Sequence, residues 1–339
     1  MKAAIFKKPG TPVVIETVPD PTPGEGQVVI KVNRCGICGS DVHLTSSQAG
    51  PFGYPENAPL GHEFAGQVVA LGKGVETLKV GDAITAFPFS GCGRCATCLA
   101  GRPNFCREFA GMVGGMAEYL LVNERTALRL PAGMALADGA LVEPLAVGLH
   151  GVALARLSPG ARVQVIGAGT VGLSVVYWAK RLGAGKIVVS ATSRRREALA
   201  RQMGADAFVA PSAGEDLAAL VARELSGPPD VVFECAGQVG LLGQAVHCVK
   251  PQGDVVSLGF CTSPDAVLPA LATWKEVRIL FSMTYSVQEF AYVAESLAAG
   301  NVVPRALITS TVSLKEFPAT LDALRGPSEQ VKVMVDPWA

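Results

Sequence analysis

The sequence has no net charge: 29 Lys and Arg balance 29 Asp and Glu over 339 residues. Without a basic excess, nothing steers the chain toward phosphate backbones or anionic lipid, which argues against nucleic acid and membrane partners. It has no apolar run approaching the ~20 residues that span a bilayer. Nor does it open on the ~7–15-residue apolar region of a signal peptide. Met1-Lys2-Ala3-Ala4-Ile5-Phe6-Lys7-Lys8 carries charge on both sides of a very short apolar patch. Export is therefore not expected; a cytoplasmic location is. Internal repeats and low-complexity linkers are missing too. In a reducing compartment the nine cysteines point to metal binding or chemistry more than to disulfides.

What is present is enough chain for two domains, at ~100–200 residues each. A content of 49% hydrophobic and 17% charged residues suits a core-forming globular protein, and 38 glycines imply many tight turns. The first half reads as β, with Val28–Val32 and Phe64–Gly72 as strands among recurrent Gly and Pro, which suggests a barrel-like unit. After Glu143-Pro144 the texture changes. Helical stretches such as Val171–Leu182 and Glu197–Met203 alternate with short apolar strands at Val163–Ile166, Ile187–Val189, Val231–Glu234 and Val255–Leu258. That alternation predicts βαβ units around a parallel sheet. From about Tyr285 the character is mixed again, ending in a closing strand at Val331–Val335.

The first of those strands runs into Gly167-Ala168-Gly169-Thr170-Val171-Gly172 and then into a helix. G-x-G-x-x-G alone is a weak signal. In strand–turn–helix context, the first glycine permits the turn, the second lets backbone approach a diphosphate and the third packs helix on strand. The alternative is an ordinary βα turn.

Cys92, Cys95, Cys98 and Cys106 place four thiols within fifteen residues. One loop of this kind can wrap a closed, tetrahedral structural zinc; an iron–sulfur cluster is the competing metal. A second, dispersed set comprises Cys38, His62 and Glu143, with Glu63 beside His62. A catalytic zinc uses about three protein ligands and keeps one position open, and a thiolate, an imidazole and a carboxylate would serve. Spacing alone leaves this even with the plain alternatives, a core histidine and a helix-start glutamate.

Cys38-Gly39-Ser40-Asp41-Val42-His43, Gly61-His62-Glu63, the four-cysteine lobe, Glu143-Pro144-Leu145-Ala146-Val147-Gly148 and the Gly167–Gly172 turn follow one another in an order typical of one family. Over essentially its whole length the chain resembles the zinc-containing medium-chain dehydrogenases, and within them the sorbitol/polyol and threonine dehydrogenase branch. The resemblance implies a GroES-like β-barrel catalytic domain (1–146 and 285–339) and a doubly wound Rossmann domain (147–284), with catalysis in the cleft between them. It implies two zincs per chain. Cys38, His62 and Glu143 would hold the catalytic one, with Glu63 as an exchangeable ligand or neighbour, and the four cysteines the structural one. A homodimer or homotetramer acting on a small alcohol or ketone is the corresponding expectation.

In similar enzymes the alcohol proton leaves through a hydroxyl beside the metal, here Ser40, and the cofactor ribose to a histidine, here His43. Such a route must end in a group titrating near neutrality; a turn hydroxyl and a surface histidine are the plainer readings. Two positions depart from the polyol enzymes: Leu44 stands where an aromatic residue is usual, and Thr284 where an arginine grips substrate hydroxyls. Both shift the expected substrate toward a secondary alcohol or ketone with an apolar body. Phe52, Phe87, Phe109 and Met112 could line such a pocket or be ordinary core. For the cofactor, Lys186–Ser190 is the second Rossmann strand, and an NAD enzyme normally places an acid just beyond it. Here Ala191, Thr192, Ser193, Arg194 and Arg195 follow, which suits a 2′-phosphate and predicts NADP(H) over NAD(H), with Arg194 or Arg195 as the main contact. The rivals are an NAD-dependent polyol or threonine-type dehydrogenase, a zinc-free quinone or enoyl reductase, and a zinc-stabilised nucleotide-binding module without turnover.

Overall fold

Val28, Ile30 and Val32 recur at the two-residue period of a strand, and in the computed structural model they are buried in the strand Gln27–Gly36. The structure describes residues 1–46, 54–155 and 157–339. They form two compact units, Met1–Glu143 with Ser286–Ala339, and Pro144–Tyr285; the sequence reading drew its boundaries at 146/147 and 284/285.

In the first unit, Gln27–Gly36 is the organising strand. It pairs antiparallel with Glu63–Leu71 along its length, with Tyr119–Asn123 over its first half, and with Lys332–Asp336 at its far end. Ala83–Ala86 and Ala127–Arg129 extend this sheet on one side, and Ile308–Ser313 on the other. Buried Val28, Ile30, Val32, Phe64, Val68, Val122, Val333 and Val335 form its core. Register matters most at one end, where Cys35 faces Phe64 and Gly36 faces Glu63. A Cβ on Gly36 would lie 2.1 Å from a Glu63 carboxylate oxygen and 3.1 Å from Lys332 Cδ. Only glycine lets these three strands close over that carboxylate.

The second unit is a six-stranded sheet, parallel throughout. Its strands in chain order are β1 Arg162–Ile166, β2 Lys186–Ser190, β3 Ala207–Val209, β4 Val231–Glu234, β5 Asp254–Ser257 and β6 Arg278–Phe281. They lie in the order β3-β2-β1-β4-β5-β6, the doubly wound order of dinucleotide-binding domains. The central strands are buried along nearly their whole length, as a sheet covered on both faces requires. Thr170–Arg181 follows β1 and buries Leu173, Val175, Val176 and Trp178. The Trp178 indole donates a 2.9 Å hydrogen bond to the Leu145 carbonyl, so its one polar atom is satisfied in the core.

The helix expected over 197–203 is an α-helix over Glu197–Gln202, preceded by a separate 3-10 turn at Arg194–Arg196. A 3-10 turn and an α-helix join into one 19-residue helical segment, Leu136–Leu154, long and apolar enough by composition to cross a membrane. Of its most apolar window 78% is buried inside the protein, as for a core helix.

Candidate functional site

The four-cysteine loop closes on itself. The sulfurs of Cys92, Cys95, Cys98 and Cys106 all lie within 4.8 Å of one another. Cys95 Sγ and Cys106 Sγ are 3.7 Å apart. A disulfide would hold them at about 2.05 Å, whereas thiolates about 2.3 Å from a single tetrahedral ion stand about 3.8 Å apart. Iron clusters put their thiolates on different irons and spread them farther, so the geometry favours a single ion. The loop's own donors reach its sulfurs: the amides of Cys92 and Glu108 donate to Cys106 Sγ at 3.4 and 3.3 Å. The Thr97 hydroxyl, 3.1 Å from Cys95 Sγ, leads the contacts that lower the Cys95 pKa to about 6.

Three of the four dispersed residues converge as well, and Glu143 lies outside that group of donors. Cys38 caps the short helix Gly39–Leu44, and its amide donates 2.8 Å to Asp41 Oδ2. Donor atoms of Cys38, His62 and Glu63 lie within 4.8 Å of one another, a thiolate, an imidazole and a carboxylate suited to one zinc. Glu143 is buried in the first turn of Val142–Leu154, and its charge acts on both His62 and Lys332. Burial opposes a charged His62, but Cys38, Asp41 and Glu143 outweigh it and push that imidazole well up.

Three residues of this cluster were not singled out in the sequence as site residues. Lys332 and Glu63 are each 1% exposed, and the Lys332 ammonium contacts both Glu63 oxygens, at 2.7 and 2.5 Å, and donates to the Ile37 carbonyl at 2.7 Å. Removing one partner of such a pair typically costs about 3–5 kcal/mol, because the other charge is left buried alone. The Tyr54 hydroxyl donates 2.8 Å to Asp41 Oδ1 and lies 3.3 Å from His62 Nδ1, which is 3.9 Å from Asp41 Oδ1. An imidazole whose second nitrogen is held by such partners is a well-oriented metal ligand. Asp41 carries a local signal, since it bonds the amide three residues back; Tyr54 and Lys332 carry none.

Ser40 lies in the first turn of the same helix, and His43 is exposed near its end. Of the proposed pocket residues, Phe87 is core and packs edge-on against Phe290, and Met112 packs on the β core. Phe109 is exposed and stacks on Phe89; Phe52 lies outside the described residues. Leu44 is partly buried. Thr284 has φ +56°, and its buried hydroxyl has no hydrogen-bond partner.

In the second unit, Gly167 has φ +101° and Gly169 caps Thr170–Arg181, whose first turn also holds Val171 and Gly172. A Cβ on Gly172 would sit 2.0 Å from the Gly167 carbonyl oxygen, so close packing dictates glycine there. A Cβ on Gly169 would meet nothing nearer than Arg196 Nη1 at 4.0 Å. This leaves an open cradle at a helix N-terminus, where a diphosphate fits. Ala191 and Ser193 are partly buried and Thr192 is exposed. Arg194 pairs with Glu197 at 2.7 Å, Arg195 is exposed, and Arg196 reaches the Ala168 carbonyl at 3.3 Å. The sequence reading had not singled out Arg196.

Residues 24–132 match the model of the alcohol dehydrogenase GroES-like domain, and residues 170–299 that of zinc-binding dehydrogenases. Sorbitol dehydrogenase of Bacillus subtilis (strain 168) is 32% identical over 99% of this chain and 97% of its own length. The chain belongs to the zinc-type medium-chain alcohol dehydrogenase family. Two solved structures of the same architecture each cover 99% of both chains with a TM-score of 0.88. One, 35% identical, is a Sinorhizobium meliloti 1021 protein bound to NADP; the other, 32% identical, is 2R,3R-butanediol dehydrogenase from Bacillus subtilis. The GroES-like plus Rossmann architecture is thereby established, and with it an oxidoreductase of the polyol and alcohol dehydrogenase class.

Proposed function

We propose that this medium-chain dehydrogenase moves a hydride between NADP(H) and a secondary alcohol or ketone with an apolar body, with one catalytic and one structural zinc per chain. The observation that carries the reading is the convergence of Cys38, His62 and Glu63 on one point, with Glu143 close enough to act on His62. Cys38 and His62, with Glu63 or Glu143 as the carboxylate, would hold the catalytic metal, and Cys92, Cys95, Cys98 and Cys106 the structural one. Glu63 also has both oxygens on Lys332, which fixes its carboxylate beside Cys38 and His62. When bound, the metal supplies a Lewis acid for the substrate oxygen and the nicotinamide the hydride. The chain's own residues carry the proton. Ser40 would accept it from the substrate hydroxyl while releasing its own hydroxyl proton toward His43, whose pKa is lowered by burial and then by Arg325, which favours the neutral, proton-accepting imidazole.

The cofactor preference rests on Ala191, which leaves out the acid that would repel a 2′-phosphate, and on the arginines after it. Arg194 is committed to Glu197, so exposed Arg195 is the better candidate for the phosphate, with Arg196 beside the glycine cradle. The apolar substrate rests on Leu44 and Thr284, and a relative named for a short secondary diol fits it. The second reading, an NAD-dependent polyol dehydrogenase, is favoured by the sorbitol-enzyme relative. We place the enzyme in the cytoplasm as a homodimer or homotetramer.

A panel of ketones, simple alcohols and polyols assayed with both cofactors tests this. The expected result is higher kcat/KM with NADP(H) and with cyclic or aryl ketones and their alcohols. Higher efficiency with NAD(H), or with sorbitol or xylitol, overturns the corresponding half. Ala191→Asp with Arg195→Ala is expected to move preference toward NAD(H) by about tenfold or more, the equivalent of one charge-assisted contact.

A further inference from the structure

The helix Gly39–Leu44 carries Ser40 and His43 but is only six residues long, far below the ~12–15 residues at which an isolated helix becomes even marginal in water. Its N-terminal end is fixed by the Cys38–Asp41 capping interaction. Its C-terminal end is fixed from 283 residues away. Arg325 Nη1 donates to the Val42 carbonyl, and Nη2 donates 2.9 Å to the hydroxyl of Thr45, which is 1% exposed and in turn donates to the Asp41 carbonyl at 2.5 Å. Arg325 Nε is aimed by Asp322 Oδ1 at 3.3 Å. One planar guanidinium thus binds the residues on both sides of His43 while its charge acts on that imidazole, a task its fixed fork of donors suits.

We propose that Arg325 is a positioning residue for proton transfer: it clamps the last turn of the helix presenting Ser40 and His43 and sets a fixed positive charge near the imidazole. The inference rests on the relay reading above. Among the described residues, the charge that acts on His43 is Arg325, which Asp322 aims; Asp41, on the same helix as His43, is turned inward onto Tyr54 and the Cys38 amide. The imidazole is exposed by surface area, yet desolvation by its surroundings still leads in lowering its pKa, and Arg325 adds to that. Neutral His43 accepts a proton during alcohol oxidation, and protonated His43 does not. Loss of the arginine should therefore raise the imidazole pKa and move the acid limb of the oxidation profile to higher pH.

The test follows His43 in the zinc-loaded enzyme by NMR titration of its ring, identified among the four histidines by the signal missing in His43→Gln, alongside kcat against pH. Arg325→Met is expected to raise the His43 pKa by about half a unit to one unit and to shift the acid limb equally. An unmoved His43 titration in Arg325→Met overturns the proposal. Should Arg325→Met fail to fold, Arg325→Lys carries the test. A lysine keeps the charge but not the fork, so the His43 pKa should stay near its original value while kcat for oxidation falls about 3–10-fold. An undiminished kcat overturns the clamp. If His43→Gln retains both the acid limb and full kcat, the relay reading fails, while a shifted His43 signal in Arg325→Met would still support the clamp.

Discussion

The two clusters that could hold a metal are built in opposite ways. In the 92–106 loop all four donors come from fifteen consecutive residues, and the loop's own amides and the Thr97 hydroxyl contact the Cys106 and Cys95 sulfurs. Cys92, Cys95 and Cys98 are only partly buried. At the Cys38 cluster the donors come from separate elements, and their supports come from farther still: Tyr54 on His62, Lys332 on Glu63 across 269 residues. There the carboxylates and the lysine lie in the protein interior. The first cluster can form wherever its loop is intact. The second exists only when the strands Gln27–Gly36, Glu63–Leu71 and Lys332–Asp336 are in register, so folding and ligand placement are one event.

Lys332→Met puts that difference under the most stress. With Glu63 left charged and buried, the expected loss is about 3–5 kcal/mol of global stability, read by denaturant unfolding. The double variant Lys332→Met, Glu63→Leu is expected to recover most of it, because an apolar pair of similar size avoids the desolvation cost. A Lys332→Met protein as stable as the parent would show that the interior cluster is not coupled to the fold.

Cys95→Ser applies the smaller stress. Three thiolates should hold the structural metal poorly, so zinc content falls by about one per chain, and proteolysis opens the loop between residues 92 and 106. Global stability should change by about 1 kcal/mol or less, since a peripheral loop opens locally before the core unfolds. Turnover per folded chain should persist. Loss of both metals in this variant would erase the contrast.

The same contrast explains what was legible in the sequence. The parallel sheet, the glycine turn and the cysteine lobe were readable because their signals are local: strand-length apolar runs, glycines two and three residues apart, thiols three and eight apart. The dispersed ligands were readable only as a family resemblance, since no spacing rule brings residue 38 to residue 62. Lys332 and Tyr54 were not readable at all. Nothing near Lys332 announces a buried cation within the strand Lys332–Asp336, and its partner is fixed by strand register. The aromatic positions stayed open for a related reason: Phe87 in the core and Phe109 on the surface look alike until the sheet decides which way each side chain points.

The central claim is that the interior cluster holds the metal that does the chemistry, while the loop holds one that does not. Elemental analysis of zinc in His62→Ala, paired with its ketone-reduction rate, tests it most directly. The account predicts a folded protein with one zinc per chain instead of two, its turnover reduced by about 10³-fold or more, the equivalent of several kcal/mol of Lewis-acid stabilisation. A His62→Ala enzyme that keeps two zincs, or that turns over at the parental rate, would contradict it.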